Sequence, residues 1–295
     1  MRYTLLLVLF AFISCKKETK IEITPPDVVT VPVPDIDVTS SQCTWSQEKE
    51  DRISYKKITE NSGMAYLNNA LYITNDSGDS SRFFACKAPY SSCDEIKTSI
   101  KNNDFEGMAI YKNDVVVCDC GNSWGKSSLN LDYCDATTNL CKSRVAKFPG
   151  NGTEDIETFM ISPINGDVFF VSKNYDGRDP KIWKLEVGKD TVQLIGSYKF
   201  DLVPGHKMKV FSAGDMLANQ FIMTEIDGKG TTVMVECKFD LSSVKGNLDE
   251  MVKNNCKTFK VKSLGQIESL TMKNDREFMY SSEGSSAPLV TMVCE

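Results

Sequence analysis

The sequence predicts an all-β fold, a β-propeller of five blades whose ring is closed by strands from the two chain ends. Three observations carry that prediction. Helical periodicity is nearly absent, whereas short β-branched and aromatic runs recur between Asn, Asp, Gly and Ser clusters: LYIT at 71–74, DVVVC at 114–118, DVFFVS at 167–172, QFIMT at 220–224 and EFMYSS at 277–282. An acidic residue, a small apolar stretch and a turn precede each run. Taking Glu60, Glu106, Glu157, Asp215 and Glu268 as markers, the units repeat at spacings of 46, 51, 58 and 53 residues. A period near 50 with several strands per unit is that of propeller blades, which bury their faces only against one another. Six blades is the alternative, with a further unit inside the 58-residue spacing.

The 295 residues divide into three parts. Residues 1–14 read as a signal peptide: Arg2 supplies a positive start, and TLLLVLFAFI at 4–13 is an apolar stretch too short to span a bilayer. Ser14 and Cys15 follow directly and resemble a bacterial lipobox. That resemblance implies cleavage before Cys15 and acylation there, palmitate included. Lys16 and Lys17, in place of an aspartate, favour the outer membrane. Residues 15–42 hold Pro25, Pro26, Pro32 and Pro34 and little large apolar content, which makes an extended tether. The propeller domain is expected over 43–295. Its last unit, 266–295, has room for about three strands, and SYKKIT at 54–59 is the expected fourth, joining both ends of the chain in one blade.

Charge excludes one function class. With 34 Lys and Arg against 40 Asp and Glu, the net charge of -6 does not suit a nucleic-acid binder, whose surface must be basic. His206 is the only histidine, so no multi-histidine metal site is available. It lies in VPGHKMKV, a loop-like context, and no G-x-S-x-G elbow, P-loop or paired-histidine motif is present. Asn75-Asp-Ser77 and Asn151-Gly-Thr153 match glycosylation sequons and read more simply as turns.

The ordered motifs SGMAYLNNALYITNDSG, NDFEGMAIYKNDVVVCDCGN, EDIETFMISPINGDVFFVSKN and QIESLTMKNDREFMYSSEGSSAPL resemble a bacterial propeller group linked to the SdiA-regulated and esterase-like phytase families. The resemblance covers about residues 60–290. Phe105 and Gly107 stand where that pattern has Trp and Asp, and Cys120 where it has Ile. The fourth unit keeps little beyond Glu225. The resemblance implies the propeller fold, and it brings in a metal-dependent phosphoesterase, a phytase-like hydrolase, as the alternative to a binding module.

In a propeller the innermost strand of each blade lines a central channel. The polar residues beside those strands therefore converge: Asn75, Asp76, Glu106, Asp119, Glu157, Lys173, Glu225, Glu268 and Glu283. Gathered carboxylates repel unless a cation, Lys173 or protonation offsets them. Oxygen-only donors suit Ca²⁺. Asp76, Glu106, Asp119, Glu157, Glu225, Glu268 and Glu283 are the candidate metal ligands, with Asn75, Lys173 and Trp124 as further binding residues. The alternative reading is that these acids satisfy backbone N–H groups at strand starts. The expected role is that of an envelope-anchored binding module for a protein, glycan or phosphorylated small molecule.

Of the 11 cysteines, Cys15 is assigned to lipid, which leaves ten for an oxidising compartment. Cys86–Cys93, Cys134–Cys141 and Cys237–Cys256 each span a connection from a third strand towards a fourth. Cys43–Cys294 would lock the ring. Cys118 and Cys120 remain as a Cys118–Cys120 pair, as reactive thiols, or as partners for Cys43 and Cys294.

Overall fold

The structure is a computed structural model, and it describes residues 43–121, 127–173, 179–198, 210–226, 232–246 and 248–295. Five antiparallel four-stranded sheets form five blades. Blade 1 holds β2 (Asn61–Leu67), β3 (Ala70–Asn75), β4 (Arg82–Cys86) and β5 (Cys93–Lys97). Blade 2 holds β6 (Phe105–Tyr111), β7 (Asp114–Asp119), β8 (Ser128–Asp135) and β9 (Cys141–Lys147). Blade 3 holds β10 (Ile156–Ile161), β11 (Val168–Ser172), β12 (Lys181–Leu185) and β13 (Gln193–Ser197). Blade 4 holds β14 (Val210–Leu217), β15 (Gln220–Ile226), β16 (Thr232–Cys237) and β17 (Cys256–Lys260), with helix α1 (Leu248–Asn255) between its last two strands. Blade 5 is β18 (Ile267–Asn274), β19 (Glu277–Ser282), β20 (Ala287–Cys294) and, from the other chain end, β1 (Trp45–Ile53). The first strands of the blades touch in the order β2, β6, β10, β14, β18 and back to β2. The chain is therefore a closed five-bladed propeller, and the 58-residue spacing is a single blade.

The second strand of each blade is buried along nearly its whole length, because both faces of a blade pack on neighbours. The core accordingly falls into clusters between adjacent blades. Tyr72 and Phe83 of blade 1 meet Phe105 and Val117 of blade 2, and Met160 and Val171 of blade 3 meet Phe221 and Val235 of blade 4. Ile53, Ile73 and Phe84 join Met279 and Leu289 where blade 1 meets blade 5. Apolar area removed from water on both sides of each sheet is what holds the ring together.

The strand that closes the ring is not the expected one. Trp45–Ile53 pairs with β20, whereas residues 54–59 form the connection to β2, with Ile58 buried beneath it. The closing strand, WSQEKEDRI, is polar because it is the outermost of its blade and mostly exposed, so it carries no hydrophobic signature. Register fixes it: Trp45 faces Cys294 and Ile53 faces Ala287. Trp45 also reaches the next blade, its indole N–H donating to Glu236 Oε2 at 3.2 Å.

Ten cysteines lie in five bonded pairs: Cys43–Cys294, Cys86–Cys93, Cys118–Cys120, Cys134–Cys141 and Cys237–Cys256. Three of them join directly opposed residues of a blade's two outer strands. Cys43–Cys294 joins residues 251 apart and so closes by far the longest loop, against seven for Cys86–Cys93. Loop-closure entropy then predicts that the Cys43→Ala/Cys294→Ala double variant loses on the order of 5 kcal/mol and the Cys86→Ala/Cys93→Ala variant about 2 kcal/mol. Denaturant unfolding of the two checks the order; equal losses would refute the ring-closing role.

Candidate functional site

One backbone irregularity recurs in every blade. Pairing between the first two strands slips by one residue just inside the first strand: between Asn61 and Gly63, Phe105 and Gly107, Ile156 and Thr158, Phe211 and Ala213, and Ile267 and Ser269. Such a bulge leaves one residue unpaired and re-aims its side chain. The five bulged residues are Ser62, Glu106, Glu157, Ser212 and Glu268. All but Ser212 line a narrow cavity shared by the five blades. Its volume is about 10 Å³, room for one water or one ion.

The residues after each bulge, Gly63, Gly107, Thr158, Ala213 and Ser269, are all small. A Cβ on Gly63 would stand 2.9 Å from the Gly107 carbonyl carbon, and one on Gly107 would stand 2.7 Å from Phe159 Cβ. The strands crowd the axis so closely that larger side chains do not fit there. This alignment corrects two of the sequence markers. Glu60 lies two residues before the blade 1 bulge. Asp215 lies towards the far end of β14, where it accepts from Met272 N at 2.8 Å and Thr271 Oγ1 at 3.1 Å. Serine fills the bulge in blades 1 and 4 because its hydroxyl donates to the next blade: Ser62 to the Phe105 carbonyl at 2.6 Å and Ser212 to that of Ile267.

Around the three bulge glutamates stand further ionisable groups at the same end of the ring. Asp76, Lys173 and Glu283 each follow the second strand of a blade, and their backbone N–H groups bond to Glu60, Asp155 and Gln266. Asp104 precedes β6. Carboxylate oxygens of Asp76, Asp104 and Glu106 lie within 4.8 Å of one another. Glu157 is paired with Lys173 at 2.8 Å, and Glu268 accepts from Gln266 Nε2 at 2.7 Å. Asp104 is missing from the sequence-based set, although the repeat holds its signal: Asp104, Asp155 and Gln266 each stand two residues before a bulge glutamate.

The other expected ligands are placed elsewhere. Asp119 accepts from the backbone N–H of Asn103 at 3.2 Å and of Asp104 at 2.8 Å, and from Asn130 Nδ2 at 3.1 Å. Asn75 has the same position in blade 1, accepting from the N–H groups of Thr59 and Glu60. Glu225 is their counterpart in blade 4, buried opposite Phe211. These are the strand-start positions of the alternative reading, and Asp119 positions the cluster by holding the backbone of Asp104. Trp124, Cys15 and His206 lie outside the described residues.

Electrostatics at this end are unfavourable to full ionisation. Burial, then the Glu157 charge, holds the Glu106 carboxyl well above its usual range. Burial raises Asp76 to about 6, with Asp104 and Glu283 adding to it. Burial raises Glu157 to about 7 even though Lys173 opposes it. Glu268 is pushed up to about 9 by burial and then by its hydrogen bond to Glu283. Burial works against the Lys173 ammonium, but Glu157 outweighs it, and Lys173 stays charged.

Carboxyl groups raised above their unfolded values near 4 bind more protons in the native state. Their contribution to stability is complete below pH ~4 and is lost as pH rises through 6, 7 and 9. In chelator-treated buffer the thermal midpoint should fall from pH 5 to pH 9. Lys173→Met removes the partner of a buried acid, a loss of about 3–5 kcal/mol when the acid is ionised. That variant should therefore lose more at pH 8 than at pH 5, where Glu157 is protonated. Melting curves across pH that stay flat, or rise, would contradict this electrostatic picture.

No protein-family profile matches the chain, and no curated protein matches it. Among solved structures it is similar to a nidogen/laminin complex at 14% identity, over 76% of this chain and 72% of that chain, with a TM-score of 0.46. It is also similar to a Bacteroides thetaiotaomicron structural genomics protein of unknown function, at 10% identity over 85% of this chain and 77% of that chain, with a TM-score of 0.48. At these identities the likeness concerns the fold alone.

Proposed function

We propose that the chain is an envelope-anchored propeller whose acidic mouth holds a Ca²⁺ ion and through it a ligand. The observation that carries this reading is the meeting of Asp76, Asp104 and Glu106 within 4.8 Å, beside Glu157 and Glu268. The donor set fits the ion: all are carboxylate oxygens, and hard cations with flexible coordination take such sets. Burial and then neighbouring carboxylates raise Asp76 and Glu106, and a divalent cation would relieve that repulsion. Asp76, Asp104 and Glu106 would hold the metal, and a bound cation would offer its remaining positions to oxygen atoms of a protein, glycan or phosphorylated small molecule. Anchoring rests on the lipobox-like Ser14-Cys15 and the proline-rich tether, with the outer membrane favoured by Lys16 and Lys17.

The phosphoesterase suggested by the phytase-like motifs needs cations facing the phosphate. Lys173, the one basic side chain placed in this cluster among the described residues, already serves Glu157. The binding module is therefore preferred.

Calorimetric titration of Ca²⁺ into the chelator-treated full chain should give heat at one ion per chain. At a hundredfold excess over Kd the stabilisation is about 2.7 kcal/mol, read as a higher thermal midpoint. Glu106→Gln should abolish both signals. Absence of heat and of a thermal shift in the parent protein would sink the ion site. Ca²⁺-dependent phosphate release from an inositol phosphate, lost in Glu106→Gln, would turn the reading towards the enzyme.

A further inference from the structure

Strand register aligns the five blades residue by residue, and two aligned positions set blade 1 apart. They are Ala70, the first residue of β3, and Ala85, which faces Tyr72 across the β3–β4 ladder. Blade 2 has Asp114 and Tyr133 at these places, and blade 3 has Asp167 and Lys184. Blade 4 has Gln220 and Glu236, and blade 5 has Glu277 and Thr291. In blades 3 and 4 the two side chains bind each other: Lys184 Nζ lies 2.9 Å from Asp167 Oδ2, and Gln220 Nε2 lies 2.8 Å from Glu236 Oε1. Each pair also reaches the next blade. Lys184 donates to the Ser242 carbonyl at 3.3 Å, and Glu236 accepts from Trp45. Tyr133 packs into the cluster between blades 2 and 3. Blade 1 alone carries alanine at both positions, so no side chain of this kind fills its contact with blade 2.

The result is a cavity of about 320 Å³ between blades 1 and 2. Ala70, Ala85 and Ile96 form one wall, and Ala136 and Asn139 of the β8–β9 turn form the other. Tyr72 lies at the inner end. Its residue is only 5% exposed, it lines the cavity, and its hydroxyl has no hydrogen-bond partner among the described residues. Burial raises this phenol above its ordinary value, so it keeps its proton and remains a donor. Lys87, Ser92 and Asp94 stand exposed at the rim. Both walls are braced. Cys86–Cys93 joins β4 to β5, and Cys134–Cys141 joins the strands on either side of the β8–β9 turn. Within that turn Asp135 accepts from the N–H groups of Thr137 at 3.0 Å and Thr138 at 2.7 Å. The shape is thus set before any ligand arrives, as small-molecule sites usually are.

We infer that this cavity binds one neutral sugar ring of a glycan. Its volume is at the small end of ligand sites, about 300–1,000 Å³, which suits a single ring. Charge at the rim balances, with Lys87 against Asp94, so no anion is favoured. The alanine walls accept the C–H face of a ring. Tyr72, Ser92, Asp94 and Asn139 offer donors and acceptors around it, which a polyhydroxylated molecule can meet. A wholly apolar ligand would leave the Tyr72 hydroxyl buried and unpaired, a loss of free energy. The site needs no metal. It lies by the start of β3, whereas Asp76 of the acidic mouth follows the end of that strand. The inference is therefore independent of the proposed ion.

Saturation-transfer NMR on the full chain tests it, with the methyl glycosides of glucose, galactose, mannose and N-acetylglucosamine as probes. At least one should bind, equally in EDTA and in Ca²⁺. Tyr72→Phe should weaken that binding about tenfold, the worth of one hydrogen bond in a buried site. Ala85→Tyr and, separately, Ala70→Gln introduce the side chains that blades 2 and 4 carry there, and each should abolish binding while circular dichroism stays that of the parent. If one filling variant fails to fold, the other and Tyr72→Phe decide. Binding of no glycoside, or binding that survives a folded filling variant, overturns the site. Binding seen only with Ca²⁺ moves the sugar to the acidic mouth and overturns it as well. Phenol bound in place of every glycoside overturns the ligand class.

Discussion

Five strands crowded around one axis are the constraint on which the rest of the structure depends. Their backbones approach so closely that the residue after each bulge must be small, and Gly63 and Gly107 have no room for a Cβ. The bulge itself turns one side chain per blade away from the regular pleat. Where that residue is serine, its hydroxyl ties one blade to the next. Where it is glutamate, a charge is brought among other charges. Ring closure and the acidic site therefore come from the same backbone feature.

The rest of the molecule supports this crowding at a distance. Clusters of apolar residues between blades set their spacing, and the outer strands add disulfides where burial is thin. Lys173 is the one cation placed to offset the gathered acids among the described residues, and it is engaged by Glu157. Asp119, held by Asn103, Asp104 and Asn130, fixes the backbone from which Asp104 and Glu106 project. A buried cluster of like charges survives only on a frame this closely specified, because each carboxyl would otherwise move to water.

Much of the fold is legible in the sequence for a physical reason. Second strands are buried on both faces, so LYIT, DVVVC, DVFFVS, QFIMT and EFMYSS stand out as apolar runs, and their spacing reports the blades. Paired cysteines in outer hairpins are legible because strand pairing sets them opposite one another. The closing strand is not: WSQEKEDRI lies on an outer edge, where little area is buried, and only its pairing with β20 identifies it. Glu106, Glu157 and Glu268 were readable from their recurring place ahead of each apolar run. Asp119 and Glu225 were readable as repeating acids, but not as residues of a different ring position, since a one-residue bulge changes the face without changing the composition.

By itself the sequence determined an all-β repeat, an acid at the head of most repeats, an even set of cysteines in the folded region and a lipobox-like start. These follow from composition and period, which local chemistry sets. Only the tertiary structure decided that the ring has five blades, that serines replace the glutamates at two bulges, and that Asp104 joins Asp76 and Glu106. It alone gathered the carboxylates at one end of the ring. Those facts depend on strand direction and on closure around an axis, and both arise from contacts between residues up to 251 positions apart.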